Sequence, residues 1–195
     1  MPQKTEVSWN AIIAGYEKNG GLRESMVLFF HMQVEGKKPD RHTLSSVLSI
    51  CAQSLDQLMG MQIHQLVTKL DILNIPLYNS LITMYARCGA IYEARAVFDE
   101  MKTQKNVISW NAMIGGYASH GFAREALELF ESMKFCKVKP TYITFLSVLS
   151  ACAHGGLVEQ GRLYFKSMVE DFGIKPRVEH FSSLVDLVGR HRKIE

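Results

Sequence analysis

The stretch VSWNAIIAGY at residues 7–16 returns as ISWNAMIGGY at residues 108–117, an offset of 101 residues. The same offset aligns the Lys-Pro pair at 38–39 with the pair at 139–140, and VLSICA at 47–52 with VLSACA at 148–153. A register kept over so many positions indicates an internal repeat, and a repeat decides the fold before any isolated motif does.

The apolar residues of the repeated stretch recur every three or four positions, as do those of residues 22–32, which predicts two amphipathic helices. Asn19-Gly20-Gly21 separates the two helices, and Gly36 with Pro39 ends the second, because Gly adopts the left-handed conformation and Pro lacks an amide hydrogen. The pattern continues, and it predicts helix pairs at 43–53 and 58–69, 78–87 and 91–101, 109–119 and 123–133, and 144–154 and 158–171, with a sixth pair beginning at His180.

Equivalent positions in the six hairpins are 32–36 residues apart: Asn10, Ser45, Asn79, Asn111, Leu146 and Ser182. A single hairpin of this length cannot bury its own apolar stripe and must stack on the next one. The chain is therefore predicted to be all-α, an α-solenoid of stacked helix-turn-helix repeats. Because three unequal spacings make up the offset of 101, three kinds of unit recur as a triplet.

Composition limits the function. The chain has 195 residues, 47% of them hydrophobic, and a net charge of +3, which suits a folded protein and permits a polyanionic partner. No apolar run approaches the roughly 20 residues that span a bilayer, so no membrane association is expected. The seven His residues form no HExxH motif, nor the H-x-E and P-C-x-x-C set of a zinc deaminase. We expect no catalytic residues, no metal site and no cofactor in this chain.

Several residues have a structural interpretation. The helical spacing predicts that five aromatic residues form hairpin core: Trp9, Tyr16, Tyr85, Trp110 and Tyr117. Cys51 and Cys152 hold equivalent positions inside apolar runs, which predicts buried free thiols. From the residues alone, Asn10 and Asn111 are either contact residues or helix N-caps, and Asp40 is either a contact residue or a cap.

The repeats resemble those of the pentatricopeptide family. VSWNAIIAGYEKNGGLRESMVLFFHMQVEGKKPD resembles its P motif, RHTLSSVLSICAQ an L motif and NSLITMYARCGAIYEARAVFDEM an S motif. TFLSVLSACAHGGLVEQG and EHFSSLVDLVGR resemble the final L and S variants. This alternation resembles the PLS subclass of plant organellar RNA-editing factors. The resemblance implies a right-handed superhelix with repeats at 6–40 (P), 41–74 (L), 75–106 (S), 107–141 (P), 142–177 (L) and, in part, 178–195 (S).

The family reads single-stranded RNA with one base for each repeat. The resemblance implies that the fifth residue of each repeat reads a base: Asn10, Ser45, Asn79, Asn111, Leu146 and Ser182. It implies that the last residue assists: Asp40, Asn74, Asn106, Thr141 and Arg177. The second residue is expected to sandwich the base: Val7, His42, Pro76, Ile108 and Ile143.

The family's pairing rule assigns preferences to these pairs. Asn10 with Asp40 resembles a uracil reader, and Asn79 with Asn106 resembles a pyrimidine reader. Asn111 with Thr141 resembles a weaker pyrimidine reader, and Ser45 with Asn74 a weak adenine reader. Leu146 has no hydrogen-bonding group, so its repeat should discriminate poorly. Departures from the motif lengths shift the register near Asn74 and Asn106.

The resemblance implies the recognition module of a C-to-U RNA-editing factor that binds organellar single-stranded RNA. It also implies accessory editing proteins docked on L-type repeats, with residues 58–69 as the surface, and a deaminase acting in cis or in trans. We expect the chain to be a fragment from a mitochondrial protein, or alternatively a chloroplast one, with its targeting peptide outside this chain. The alternative function is a tetratricopeptide-like protein-binding scaffold, since that family also uses hairpins of about 34 residues.

Overall fold

The computed structural model describes residues 5–191, with the backbone alone for Arg190 and His191; the end of the predicted sixth repeat, residues 192–195, lies outside the described residues. The described residues contain eleven α-helices, one 3-10 helix (Lys102–Gln104) and no strand. The first helices of the hairpins are α1 (Glu6–Lys18), α3 (Arg41–Ser54), α5 (Ile75–Arg87), α7 (Val107–Ser119), α9 (Tyr142–Gly155) and α11 (Val178–His191). The second helices are α2 (Leu22–Val34), α4 (Gln57–Lys69), α6 (Ile91–Glu100), α8 (Ala123–Phe135) and α10 (Val158–Glu170). The predicted all-α hairpin architecture is confirmed.

N-terminal caps set the first residue of four first helices. Asp40, Asn74, Asn106 and Thr141 have extended backbones, and the side chain of each accepts a backbone N–H from the first turn of α3, α5, α7 and α9 respectively. These four helices begin two or three residues before the predicted starts. The apolar periodicity marks where the buried stripe begins, whereas the cap decides where the helix itself begins.

The C-terminal ends of α3 and α9 share one geometry with different residues. Gly156 ends α9 with φ +67°, in the left-handed region that glycine adopts without steric cost. Its equivalent at the end of α3 is Leu55, which adopts φ +57° despite its side chain. The turn geometry is therefore imposed by the hairpin, and the first copy tolerates an unfavourable residue there.

The helices pack as two layers within each of two compact units, one ending at Glu100 and the other beginning at Met101. In the first unit, α1 packs against α2 and α3, and α3 packs against α2, α4 and α5. In the second unit, α7 packs against α8 and α9, and α9 packs against α8, α10 and α11. Within each unit, the first helices of successive hairpins thus lie side by side, and the second helices cover them.

Four of the five aromatic residues predicted to form core are buried: Trp9, Tyr85, Trp110 and Tyr117. The prediction for Tyr16 is wrong, because 45% of its surface is exposed. Its equivalent Tyr117 packs against Phe122, with ring centroids 6.0 Å apart. The residue equivalent to Phe122 is Gly21, which has no side chain to cover the Tyr16 ring.

The cysteines follow the prediction of buried thiols. Cys51 and Cys152 are fully buried, and all four cysteines are free thiols. Burial raises the pKa of Cys51 to about 12 and that of Cys152 to about 11. Between residues 5 and 191, no helix combines the length and apolar character required to cross a membrane.

Candidate nucleic-acid interface

The predicted base-reading residues hold one position in their helices. Each is the fifth residue of a first helix: Asn10 in α1, Ser45 in α3, Asn79 in α5, Asn111 in α7, Leu146 in α9 and Ser182 in α11. Asn10 and Asn111 therefore lie inside their helices, where the caps are Thr5 and Asn106. The interpretation of these two asparagines as N-caps is wrong.

The predicted partner residues stand immediately before the next first helix. Asp40, Asn74, Asn106 and Thr141 are its N-caps, so the capping interpretation of Asp40 is correct. Because successive first helices within a unit are neighbours, Asp40, Asn74 and Thr141 can also approach the fifth residue of the helix before them. The structure shows that approach directly for two of the pairs.

Asn10 and Asp40 are bonded to each other. Asn10 Nδ2 donates to Asp40 Oδ2 at 2.6 Å, and Asp40 Oδ1 accepts the backbone N–H of Thr43 at 2.8 Å. Thr43 Oγ1 donates to Asn10 Oδ1. A carboxylate can only accept hydrogen bonds, so the amide nitrogen of Asn10 must face Asp40 and the amide oxygen must face Thr43. Both Asn10 and Asp40 remain accessible to solvent.

The second unit repeats this arrangement with different chemistry. Asn111 Nδ2 donates to Thr141 Oγ1 at 3.3 Å, and Thr144 Oγ1 donates to Asn111 Oδ1 at 2.6 Å. Thr141 and Thr144 also form a capping box at the start of α9. The neutral, longer contact to Thr141 is weaker than the charge-assisted bond from Asn10 to Asp40.

Two further pairs differ from this pattern. Ser45 Oγ lies 3.5 Å from Ser80 Oγ, while Asn74 Oδ1 accepts the backbone N–H of Leu77 in its capping role. Asn79 is buried, with only 7% of its surface exposed, and Asn106 caps α7 through a capping box with Ser109. The hydroxyl of Ser45 is thus directed to the following helix, and Asn79 presents little surface to a ligand.

In the fifth repeat, the predicted partner residue Arg177 contacts an aromatic ring. Leu146 is half-buried, and the guanidinium of Arg177 lies 3.6 Å above the ring of Tyr142. Arg177 thus stacks on an aromatic ring at the start of α9. In α11, the first helix of the sixth hairpin, Ser182 is exposed and its hydroxyl donates to the carbonyl oxygen of Val178 at 3.1 Å.

All five predicted sandwiching residues lie on the surface. Val7 is 76% exposed, Ile108 58% and Ile143 45%, while Pro76 is exposed and the His42 side chain is 93% exposed. Each is the second residue of its helix, three positions before the fifth residue and on the same face. Exposed apolar groups beside an amide edge form a surface that is suited to stacking a base.

The sequence prediction missed Thr43, Thr144 and Tyr142. Thr43 and Thr144 match across the offset of 101, so a signal was present. Their contacts with Asn10 and Asn111 could not be predicted from the sequence. In each contact, the third residue of one first helix reaches the fifth residue of the preceding first helix.

Family comparison agrees with this geometry. The PPR repeat family model matches residues 4–53 and 105–154, and the PPR repeat model matches residues 77–105 and 143–171. The chain belongs to the pentatricopeptide repeat (PPR) family. The matches identify a repeat scaffold.

Relatives in Arabidopsis thaliana extend the comparison. The mitochondrial pentatricopeptide repeat-containing protein At1g62260 is 53% identical over 179 residues, which are 92% of this chain and 27% of that protein. The chloroplastic protein CRR2 is 41% identical over 198 residues, which are 100% of this chain and 30% of that protein. The chain thus spans less than a third of the length of either relative.

Solved PPR structures share the fold. PPR10, crystallised with an 18-nucleotide psaJ RNA element, gives a TM-score of 0.85 at 21% identity, with 98% of this chain and 29% of that chain covered. The PPR domain of Arabidopsis thaliana protein-only RNase P 1, crystallised with tRNA, gives a TM-score of 0.73 at 15% identity, with 96% of this chain and 98% of that chain covered. The fold of this chain is that of a PPR solenoid.

Proposed function

We propose that this chain is a sequence-specific module for single-stranded RNA, in which each repeat contacts one base. The observation that carries the proposal is the bond between Asn10 and Asp40 at 2.6 Å on an accessible surface. These residues are 30 positions apart, and the stacking of α1 on α3 brings them together beside the exposed side chains of Val7 and His42.

The unused hydrogen-bonding groups of Asn10 suit uracil. Its amide nitrogen has two hydrogens, one of which is bonded to Asp40, and its amide oxygen has two lone pairs, one of which is bonded to Thr43. One donor and one acceptor are left side by side. The Watson–Crick edges of uracil and cytosine each present an acceptor beside a donor, so either pyrimidine can satisfy both groups, and the family's pairing rule for Asn with Asp favours uracil.

Relatives support RNA as the ligand class. PPR10 was crystallised with an RNA element, and the PPR domain of protein-only RNase P 1 with tRNA. The net charge of +3 is small for a nucleic-acid module, so stacking and base-edge hydrogen bonds must supply much of the affinity.

We place the module in an organellar C-to-U editing factor. The P, L and S alternation supports this role, as do relatives whose names carry mitochondrial and chloroplastic locations. The repeats would bind bases near a target cytidine, and a deaminase supplied in cis or in trans would perform the chemistry. We favour a mitochondrial location because the 53% identical relative is mitochondrial.

Accessory editing proteins are proposed to dock on α4 of the first L-type repeat. Leu58 is 75% exposed and Met61 is 40% exposed, so α4 offers apolar surface outside the base-reading layer. Replacing Leu58 with Gln should weaken co-purification of accessory proteins from organellar extract and leave RNA binding unchanged.

The proposed function is tested by the Asn10→Ala/Asp40→Ala double variant. Electrophoretic binding would be measured with single strands that carry uracil, cytosine, adenine or guanine at one site. The variant should lose its preference for uracil at a single nucleotide and bind all four strands alike. Asp56→Ala is the matched control, because Asp56 also caps a helix, with its Oδ1 accepting the Met59 N–H at 3.0 Å, and lies outside the readout pairs.

Two outcomes would contradict the proposal. An unchanged preference in the double variant would remove the base-reading assignment of Asn10. A wild-type chain that binds no single strand at low salt would favour the alternative, a tetratricopeptide-like scaffold for protein partners.

A further inference from the structure

We propose that Thr43 and Thr144 are positioning residues, which hold the amides of Asn10 and Asn111 in one orientation toward the base. This inference rests on the proposed function and adds a residue to each readout pair. Each threonine belongs to the repeat that follows its asparagine, so each base would be read by side chains from two repeats.

Thr144 shows the argument most clearly, because its hydroxyl has a single proton. Thr144 Oγ1 accepts the backbone N–H of Thr141 at 2.9 Å as part of the capping box. Its proton is therefore available for Asn111 Oδ1, which lies 2.6 Å away. The Thr144 hydroxyl lies closer to the Asn111 amide, at 2.6 Å, than to its other neighbour Thr141 Oγ1, at 3.2 Å. With its proton on Asn111 Oδ1, the amide oxygen faces Thr144 and Asn111 Nδ2 lies at the other end, 3.3 Å from Thr141 Oγ1.

Thr43 makes the same contact, with a second orienting group beside it. Its hydroxyl donates to Asn10 Oδ1, and the Asp40 carboxylate independently requires the Asn10 amide nitrogen on its own side. The Thr43 hydroxyl also lies 3.1 Å from Asp40 Oδ1, a second acceptor for its single proton, so the Asp40 carboxylate fixes the orientation of Asn10 and Thr43 reinforces it. The orientation of Asn111 depends on two hydroxyls, of which Thr144 makes the shorter contact, 2.6 Å against 3.3 Å for Thr141.

Burial makes these hydroxyls effective. Thr43 is 1% exposed and Thr144 is 0% exposed, so water does not compete for the bond to the amide. The asparagines themselves are only partly buried, which leaves their outer edges for a base. An inner hydroxyl that bonds a half-exposed amide is an arrangement that fixes the amide without covering it.

Other repeats in the same units support the pairing. The third residue of α5 is Leu77, and the fifth residue of the preceding first helix is Ser45. The third residue of α11 is His180, whose ring accepts the Arg177 N–H and bonds the Tyr142 carbonyl oxygen, and the preceding fifth residue is Leu146. Thr thus follows the amides Asn10 and Asn111 and is absent after Ser45 and Leu146; the equivalent residue after the third amide, Asn79, is Ser109, which also has a hydroxyl.

The test compares Thr144→Val with Thr144→Ser. Binding would be measured to strands with uracil or adenine at the nucleotide that contacts the fourth repeat, which Asn111→Ala identifies. Thr144→Val should lower the uracil-to-adenine affinity ratio by about tenfold, the size expected for one lost base-edge contact. Thr144→Ser keeps the hydroxyl and should keep the ratio. Thr68→Val is the control, since the Thr68 hydroxyl donates to the His64 carbonyl oxygen on α4 and lies outside the readout pairs.

A second measurement needs no RNA. The side-chain amide signal of Asn111 in a nitrogen–proton spectrum should shift in Thr144→Val and stay in place in Thr144→Ser. If Thr144→Val does not fold, Thr144→Ala serves in both measurements. A wild-type ratio and an unshifted Asn111 signal in the folded variant would overturn the inference and leave the proposed function intact. A wild-type chain without any base preference would instead overturn the proposed function, and the amide signal would still test the positioning.

Discussion

The carboxylate of Asp40 holds Asn10 with one oxygen and begins helix α3 with the other. Asn10 Nδ2 donates to Oδ2 at 2.6 Å, and the Thr43 backbone N–H donates to Oδ1 at 2.8 Å. One side chain therefore couples the start of a repeat to the orientation of Asn10, the proposed base-reading residue of the repeat before it. A substitution can separate the two roles. An asparagine at position 40 can cap α3 with its amide oxygen, but its amide nitrogen cannot accept a hydrogen bond from Asn10.

We predict that Asp40→Asn keeps the stability of the chain and changes its base preference. Asn and Asp cap helices about equally well, so the melting temperature should stay within about 2 °C. With the new side-chain oxygen capping α3, its nitrogen would face the Asn10 nitrogen, and the Asn10 amide would have to rotate. The preference for uracil should fall by about tenfold in binding assays.

Asp40→Ala is the matched control for this prediction. It removes the cap as well as the partner of Asn10, so it should lower the free energy of unfolding by about 1 kcal/mol and also lower the preference. A preference for uracil that is unchanged in Asp40→Asn would show that Asp40 acts only as a cap.

The sequence predicted the hairpins well because their signals are local. Apolar spacing, the Gly-containing turns and the repeat offset each depend on neighbouring residues, and the helices follow them. The exposure of Tyr16 was not predictable from the stretch at residues 7–16. The burial of the equivalent Tyr117 involves Phe122, which lies outside the repeated stretch. The left-handed backbone conformation of Leu55 was also not predictable, since it is imposed by the hairpin and not by the side chain of Leu55.

The candidate site was predictable in position but not in bonding. The family resemblance paired Asn10 with Asp40 and Asn111 with Thr141, and the structure places hydrogen bonds in both pairs. The contact of Ser45 with Ser80 and the stacking of Arg177 on Tyr142 depend on how helices from different repeats meet. Such contacts between repeats leave no periodic signal in a single sequence.

We predict that Leu55→Gly stabilises the chain. Leu55 adopts φ +57° and is 61% exposed, so glycine removes the left-handed strain and costs little buried apolar surface. The free energy of unfolding in urea should rise by about 1 kcal/mol. Gly156→Ala, at the equivalent position, should lower it by a similar amount. If Leu55→Gly destabilised the chain, its side chain would have a packing role that outweighs the strain.

We predict that alanine is tolerated better at Gly60 than at Gly161, its equivalent. An added Cβ would lie 2.3 Å from Met84 Sδ at Gly60, and 2.3 Å from Leu187 Cδ2 and 3.3 Å from Cys152 Cβ at Gly161. The unbranched end of Met84 can move, whereas Leu187 is branched and Cys152 is held by its helix. Gly161→Ala should destabilise by about 1–3 kcal/mol, and Gly60→Ala by less.

Gly15→Ala is the control for that comparison. Gly15 lies inside α1 with open space around its Cβ position, so alanine should raise the free energy of unfolding by up to about 1 kcal/mol. Equal losses at Gly60 and Gly161, measured by urea unfolding, would show that the flexibility of Met84 does not matter.

We predict that Cys136 is the first thiol to react with a thiol reagent at pH 8. Cys136 is exposed, whereas burial raises the pKa of Cys51 to about 12 and that of Cys152 to about 11, and burial also raises the pKa of the partly buried Cys88. Only about one thousandth of a thiol with the lower of these pKa values is ionised at pH 8, and the thiolate is the reactive form. Mass spectrometry of partly labelled protein should find the label at Cys136, and Cys136→Ser should remove the fast phase. Fast labelling of Cys51 would mean that the first unit opens frequently.

We predict that Arg177 contributes affinity without base preference. Its guanidinium is stacked 3.6 Å above Tyr142, which leaves the outer N–H groups free to bond a phosphate, and Leu146 in the same repeat has no group that reads a base edge. Arg177→Ala should weaken binding of all four strands equally, by about threefold to tenfold, and reduce the salt dependence by about 0.7 of a log unit per decade of salt, the value for one phosphate on a single strand. Arg162→Ala on α10, where Arg162 pairs with Glu159 at 3.3 Å, is the control and should change neither quantity. A loss confined to one base would instead make Arg177 a reader, which would restore the role that the family resemblance gives it.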